Sequence, residues 1–344
     1  MRRFQCPKCE NEVHFDNRQC VVCTTQFGYL PSADKMLALS GGNDETYPCE
    51  NRNVIGCNWL CEGVTNLNQC LSCRHTTKLP DLSVSENLRQ FTLLERAKRQ
   101  LFYSIMKFRL PLYRSTESAE GYLHFELLGD EIDSEGEIER VMTGHKQGRI
   151  TINIAEADDA TREKIRKAHG EPYRTLIGHF RHEIAHFYWD KLVAGKQSID
   201  EFRAIFGDER ADYSDALKVY YKKSAPHGWS KSFVSAYATA HPWEDFAETW
   251  AHYFHMISGL ETAYAYGISP QPVKDSAPYM VLISDPFDVI DLRILVDHWV
   301  TLTVAMNEMN RSIGNFDYYP FVLSDSIFRK LKFVHDLIGA HTKN

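Results

Sequence analysis

The stretch GHFRHEIAHFYWD, residues 178 to 190, contains His182-Glu183-x-x-His186. On a helix, side chains at i and i+4 lie one above the other, so both imidazoles can reach one ion. Glu183 is one step round, beside that ion without ligating it, where it can take a proton from water. Leu176, Ile177, Phe180, Ile184, Phe187 and Leu192 supply the apolar side that a buried helix requires. The chemistry this predicts is zinc-assisted hydrolysis; two histidines packed in a core helix are the plainer alternative. A catalytic zinc needs a third protein ligand and one open position. Extension of the motif by Gly and His at 189 and 192 is excluded, because Trp189 and Leu192 stand there. The third ligand must then come from a distant segment. FGDERADYSDAL offers Glu209, 23 residues after His186, while AYATAHPWEDFAETWAHYFH offers Glu244 or Glu248, one helical turn apart. His179 is a weaker rival, since three adjacent turns of one helix converge poorly on a tetrahedral ion.

A second set of metal-ligating residues opens the chain. All nine cysteines lie between Cys6 and Cys73, and the 271 residues that follow have none. Thiolates two residues apart can turn toward one ion, and two such pairs complete a closed tetrahedral site. The pairs Cys6/Cys9 and Cys20/Cys23 predict one structural zinc. Cys49 and Cys57 with Cys70/Cys73 predict another, leaving out Cys61, which falls mid-module in CNWLC. Spacing alone leaves open an interleaving of the two quartets. Disulfides are disfavoured in a reducing compartment, and redox CxxC pairs are disfavoured by the arrangement in quartets.

These residues need a frame. The chain has 344 residues, 43% hydrophobic and 25% charged, enough for a full core and small attached modules. A net charge of -7 gives no case for nucleic acid or an anionic membrane. Residues 1 to 75 carry seven Lys/Arg against eight Asp/Glu, so the cysteine modules are expected to meet a protein partner or to brace the main domain. No run of 18 apolar residues occurs, so no membrane span is expected. MRRFQCPKCE enters the cysteines without an apolar stretch, which leads to an expectation of a cytoplasmic protein.

The expected organisation is a zinc ribbon and linker at 1–40, a second cysteine zinc module at 41–80, and a main domain at 81–344. ENLRQFTLLERAKRQLFYSIMKF predicts an amphipathic helix with Arg96, Lys98 and Arg99 on a solvated face. YLHFELLG and GRITINIAEAD predict strands; Ile150, Ile152 and Ile154 alternate with Thr151 and Asn153. The second strand is either an edge against which an extended peptide pairs or an ordinary sheet strand. Helices are expected at 158–168, 173–194, 199–223, 244–258 and 290–309, which makes the fold class α+β and predominantly helical. Trp189, Trp243 and Trp250 are expected to be packing residues, as are His252 and His255.

Resemblance adds to this reading. Tyr237-x6-Glu244-Asp-Phe-Ala-Glu248 resembles the second motif of zincins of the Mlc-titration-factor and lethal-factor type, in which a Tyr precedes the glutamate ligand by seven. The resemblance implies Glu244 as third ligand, Tyr237 as oxyanion stabiliser and Glu248 as a partner orienting a ligand histidine. Asp245 departs from the aromatic residue of that motif. Glu209, at a spacing similar to that of thermolysin-like enzymes, stays the alternative ligand. CNWLC, LPDLS, LERAKRQLFY, VMTGH, ITINIAEADD, FGDERADY, HPWEDFAETWAHY and MNRSIG…YPFVL resemble, in order, the bacterial zinc-ribbon-containing zinc-binding metallopeptidases, with Cys61 as a departure. That likeness implies a zincin-like metallopeptidase domain acting on a peptide or protein, through a zinc-activated water with Glu183 as general base. The competing expectation is a catalytically idle scaffold whose ribbons bind protein.

Overall fold

The computed structural model describes residues 2–39, 46–63, 68–112, 121–132, 137–169, 174–270 and 284–342. Residue 40 of the expected ribbon and linker, residues 41–45 and 64–67 of the expected second module, and residue 173 of an expected helix lie outside these. The N-terminal part is built from short antiparallel hairpins: β1 (Phe4–Gln5) with β2 (Glu12–Val13), β3 (Phe27–Leu30) with β4 (Lys35–Ala38), and β5 (Thr46–Pro48) with β6 (Leu60–Glu62). The first two CxxC pairs each close a knuckle. Glu10 N donates to Cys6 O at 3.0 Å and Thr24 N to Cys20 O at 3.1 Å. Both Glu10 and Thr24 are left-handed, at φ 59°, which turns the chain back so that the two thiols of a pair face one point.

The two cysteine modules interlock. Tyr29 N donates to Asn58 O at 2.8 Å, and Arg18 and Arg52 each donate to the other's carbonyl at 2.8 Å. Phe15, Tyr29 and Trp59 form an aromatic cluster that reaches Tyr103 of α1 (Ser85–Lys107), with Phe15 and Tyr103 ring centroids 5.2 Å apart. Helix α1 therefore has modules on one side and the main domain on the other. This overturns the solvated basic face. Lys98 and Arg99 are buried, and only Arg96 is exposed, bound to Asp16 at 2.8 Å. Lys98 can be buried because Glu95 neutralises it at 2.6 Å.

A four-stranded sheet follows, in the order β11-β12-β8-β7, from β7 (Thr76–Lys78), β8 (His124–Leu128), β11 (Gly144–Lys146) and β12 (Arg149–Asn153). A separate hairpin of β9 (Glu131–Ile132) and β10 (Ile138–Glu139) precedes β11. Strand β12 pairs with β8 in parallel and with β11 in antiparallel fashion, so it is central. The expectation of a free edge at 150–154 is therefore corrected: Ile150, Ile152 and Ile154 alternate because one face is buried, a pattern that central and edge strands share. The β11–β12 turn places Gln147 at φ 51° and Gly148 at φ 86°, as a two-residue hairpin requires. A Cβ at Gly148 would lie 2.5 Å from Tyr122 O.

The helices are α2 (Asp159–His169), α3 (Leu176–Leu192), α4 (Ile199–Phe206), α5 (Tyr213–Lys223), α6 (Pro242–Tyr266), α7 (Leu292–Ser312) and α8 (Asp325–Thr342). The single helix expected at 199–223 is two: Gly207 at φ 105° ends α4, and the Asp212 side chain caps α5 through Asp215 N. Helix α8 was not expected from the sequence. Its Lys330 reaches Asp245 of α6 at 2.6 Å, with both side chains buried, and donates to Ser232 O at 2.6 Å. This pair gives the unusual Asp245 a structural reason. Lys330→Met should destabilise the protein by about 3 kcal/mol, read by urea unfolding. That is the lower end for a broken buried pair, because burial already pushes the Asp245 carboxyl up to about 7 and it can take a proton. Among the described residues no helix is long and apolar enough to cross a membrane.

Candidate active site and metal centres

Two helices build the main site. Thr175 caps α3 by accepting from Gly178 N at 3.1 Å, and the helix then carries His182, Glu183 and His186 into the interior, each no more than 9% exposed. Helix α6 packs against α3. It opens with His241 as cap and Pro242 in its first turn, so Glu244 falls in the first turn, where a carboxylate is favoured by the helix dipole. Ile184, Phe187 and Tyr188 of α3 are fully buried, as are Phe246, Trp250 and Phe254 of α6. Trp250 stacks on Tyr188 with centroids 5.3 Å apart, which fixes the two helices' separation.

The structure brings His182, His186 and Glu244 together, with one donor atom from each within 4.8 Å of the others. His182 Nε2 is 2.9 Å from Glu244 Oε2, and His186 Nε2 is 3.7 Å from Glu244 Oε1. Glu244 Oε2 has no hydrogen-bonding partner despite that short approach. Lone pairs aimed at a shared point, rather than donor at acceptor, are the signature of a cation site, and two imidazoles with a carboxylate suit zinc. Burial pushes the Glu244 carboxyl up, but His186, His182 and Tyr213 outweigh it and hold it down at about 2. The Tyr213 hydroxyl donates to Glu244 Oε1 at 2.6 Å. Glu248, one turn along α6, accepts from His182 Nδ1 at 2.6 Å, which leaves Nε2 of that ring turned toward Glu244.

Glu183 and Tyr237 border the same cleft, a cavity of about 690 Å³. Tyr237 lies in the short turn Tyr237–Thr239 ahead of α6, its ring 6.0 Å from that of His182. Burial and the nearby Glu244 charge push its hydroxyl well above the usual range, so it stays a proton donor at neutral pH. Glu209 is not brought to the histidines; Arg203 holds its carboxylate at 2.5 Å. His179 is engaged by Glu156 and Glu183 rather than by Glu244. His252 bonds Tyr319 at 2.9 Å and His255 bonds Arg181 at 2.6 Å. Trp250 is core, whereas Trp243 packs on the His186 ring at 4.1 Å.

Four residues around the site were not singled out by sequence reasoning as partners: Tyr213, His145, Glu156 and Trp243 in its contact with His186. The first three lie in FGDERADY, VMTGH and ITINIAEADD, and nothing in their local spacing points across to α3.

The cysteines form two groups, Cys6, Cys9, Cys20 and Cys23, and Cys49, Cys57, Cys70 and Cys73, each with its sulfurs within 4.8 Å of one another. Four thiolates around one zinc at about 2.3 Å place sulfurs about 3.8 Å apart. The observed separations include 3.6 Å for Cys6–Cys23 and Cys9–Cys20, 3.7 Å for Cys57–Cys70 and 3.8 Å for Cys57–Cys73. All nine cysteines are free thiols. Cys61 is buried on β6 with its sulfur 3.7 Å from Asn68 O, outside both groups.

Residues 87–337 match the model of the family described as "Putative zinc-binding metallo-peptidase", and residues 3–84 match that of a zinc-ribbon domain. An uncharacterized protein of Mycobacterium bovis is 37% identical over 339 residues, covering 98% of this chain and 95% of the relative. Uncharacterized proteins of two Mycobacterium tuberculosis strains match to the same extent. No solved structure matches the chain at a significant level.

Proposed function

Because the chain belongs to the zinc-binding metallo-peptidase family and carries a zinc-ribbon domain in front, we propose that it is a zincin-like peptidase whose active site is the α3–α6 cleft. The observation that carries the reading is the meeting of His182, His186 and Glu244 beside Glu183, whose Oε2 is buried without a partner. His182, His186 and Glu244 would hold the catalytic zinc, with Glu248 orienting His182. Zinc held by this set supplies Lewis acidity, which acidifies water and polarises a carbonyl. Glu183 takes the proton from the attacking water and returns it to the leaving amine. Tyr237 donates to the oxygen on which negative charge develops. Burial raises the Glu183 carboxyl, but His179, His182 and His186 outweigh it and keep it ionised, the state a base requires.

The two cysteine quartets would each hold a structural zinc, in modules at 1–40 and 41–80 that brace a peptidase domain at 81–344. The substrate is a peptide or protein entering the cleft, which Asn153 at the end of β12 lines; the outer strand of the sheet next to β12 is β11.

The test is hydrolysis of a quenched-fluorescent peptide mixture by zinc-loaded protein. Glu183→Gln should lower the rate about 10²- to 10⁴-fold with zinc content intact. Tyr237→Phe should lower it about 10²- to 10³-fold, chiefly in kcat. Equal rates for wild type and Glu183→Gln would sink the assignment. A three-zinc wild type that hydrolyses nothing would move the reading to an idle scaffold whose ribbons bind protein.

A further inference from the structure

Beside the general base lies a second polar chain that the proposed mechanism does not use. His179, one turn before His182 on α3, places Nε2 3.2 Å from Glu183 Oε1 and Nδ1 2.5 Å from Glu156 Oε2. Glu156 is 7% exposed and sits in the turn Ile154–Ala157 that follows β12. It is held from two further directions: Thr143, just before β11, donates to its Oε1 at 2.6 Å, and Arg174, just before α3, lies 3.5 Å from its Oε2. The chain thus runs from the sheet, through an anchored carboxylate and an imidazole, to one oxygen of Glu183. The other oxygen, Oε2, has no partner. Glu183 and His179 both line the cleft.

A carboxylate can only accept hydrogen bonds when ionised, so a ring set between two of them donates from both nitrogens. A free glutamate on a helix has three rotatable bonds and several orientations of similar energy. Fixing one oxygen removes most of them and leaves the second oxygen directed elsewhere. Glu156 also balances the charge on the ring, so Glu183 is held by a donor belonging to a paired ion rather than by a bare cation that would bind it too tightly.

We propose that Glu156 and His179 form a positioning dyad for Glu183, fixing its Oε1 so that Oε2 faces the water and the amine in the cleft. This rests on the peptidase reading for its consequence in rate, but not for its geometry. His179 is a positioning residue, acting through Glu183.

The experiment compares His179→Leu, His179→Gln and Glu156→Gln with wild type, all zinc-loaded. The glutamine amide at 179 can donate to Glu183 from nearly the position of Nε2; leucine cannot. On the peptide mixture, His179→Leu should lose about 10²-fold in kcat with KM unchanged, as expected for a misplaced reacting group. Glu156→Gln should lose about 10- to 100-fold, and His179→Gln should recover most of the loss. A second measurement needs no substrate: acetohydroxamate, a zinc-binding acid whose acidic group would face Glu183, is titrated calorimetrically into each protein. His179→Leu and Glu183→Gln should bind it about tenfold more weakly than wild type and His179→Gln. If His179→Leu binds acetohydroxamate as wild type does, or if wild type does not bind it at all, the dyad is overturned. A His179→Leu protein that has lost zinc or its melting transition makes the residue structural, which overturns the proposal unless folded, zinc-replete Glu156→Gln shows the same weakening. Should the acetohydroxamate pattern hold while wild type cleaves no peptide, the peptidase reading fails and the dyad stands.

Discussion

Replacing His182 and His186 together by alanine is expected to lower zinc from about three ions per chain to about two and to reduce peptide hydrolysis to background. The reason is the donor count. Three side chains from two helices meet within 4.8 Å, and Glu244 by itself is one carboxylate in a buried pocket. Without the imidazoles that carboxylate is a single ligand in a buried pocket, where burial favours its protonated form. Glu244→Ala should give the same zinc loss by the other route. Glu209→Ala should leave the count at about three, because that carboxylate is already occupied by Arg203. Zinc per chain by plasma mass spectrometry decides among these. A count of about three in the folded double variant would mean the histidines hold no zinc.

The second large effect concerns stability. Structural zinc in cysteine sites contributes apparent binding free energies of about 10–16 kcal/mol, comparable with the whole stability of a domain. Loss should be felt most at the second quartet. Cys49, Cys57, Cys70 and Cys73 are at most 3% exposed, whereas Cys9 is exposed and Cys23 half-buried. Arg99 of α1 is buried, with Nε and Nη1 lacking hydrogen-bond partners. The negative charges nearest it in effect are those of Cys57, Glu95, Cys73 and Cys70. Four thiolates on one zinc carry two negative charges, and the buried guanidinium is stable there only while they are formed. Cys57→Ser should therefore lower the melting temperature by about 10 °C or more, since each kcal/mol is worth about 2–4 °C in a chain of roughly this size. Cys9→Ser should cost less, and Cys61→Ser should leave the zinc count unchanged. Calorimetric melting with parallel zinc analysis checks all three. Loss of an ion from Cys61→Ser would mean that Cys61, and not one of its neighbours, is the fourth ligand.

These expectations differ in how far they were visible in the residues alone. His182, Glu183 and His186 share one helix, and the i, i+4 relation is a property of that helix whatever surrounds it. The CxxC pairs are local in the same sense: the knuckle puts both thiols on one side before any partner arrives. Glu244 is different. It lies 58 residues beyond His186, and the residues by themselves left Glu209 and Glu248 in competition; only likeness to other zincins favoured Glu244. In the structure Glu209 is paired with Arg203 instead of standing beside the histidines, a contact that the spelling of FGDERADY does not announce.

The misplaced readings have a common cause. Lys98 and Arg99 look solvated because charge normally is, and they are buried because the cysteine modules close on one side of α1 and the main domain on the other. The alternation of Ile150, Ile152 and Ile154 reports one buried face, not the number of neighbouring strands. Asp245 looked like a departure from a motif until α8 supplied Lys330. By itself, then, the sequence determined the α+β class, the helix bearing the histidine pair, and the cysteine pairs, because each depends on spacing within one or two turns of chain. Tertiary structure decided which carboxylate stands beside the histidine pair, which cysteine pairs lie together, and that Glu156 reaches Glu183 through His179. Those contacts join residues far apart in the chain, and which of them form depends on how the elements pack rather than on any repeat along the sequence.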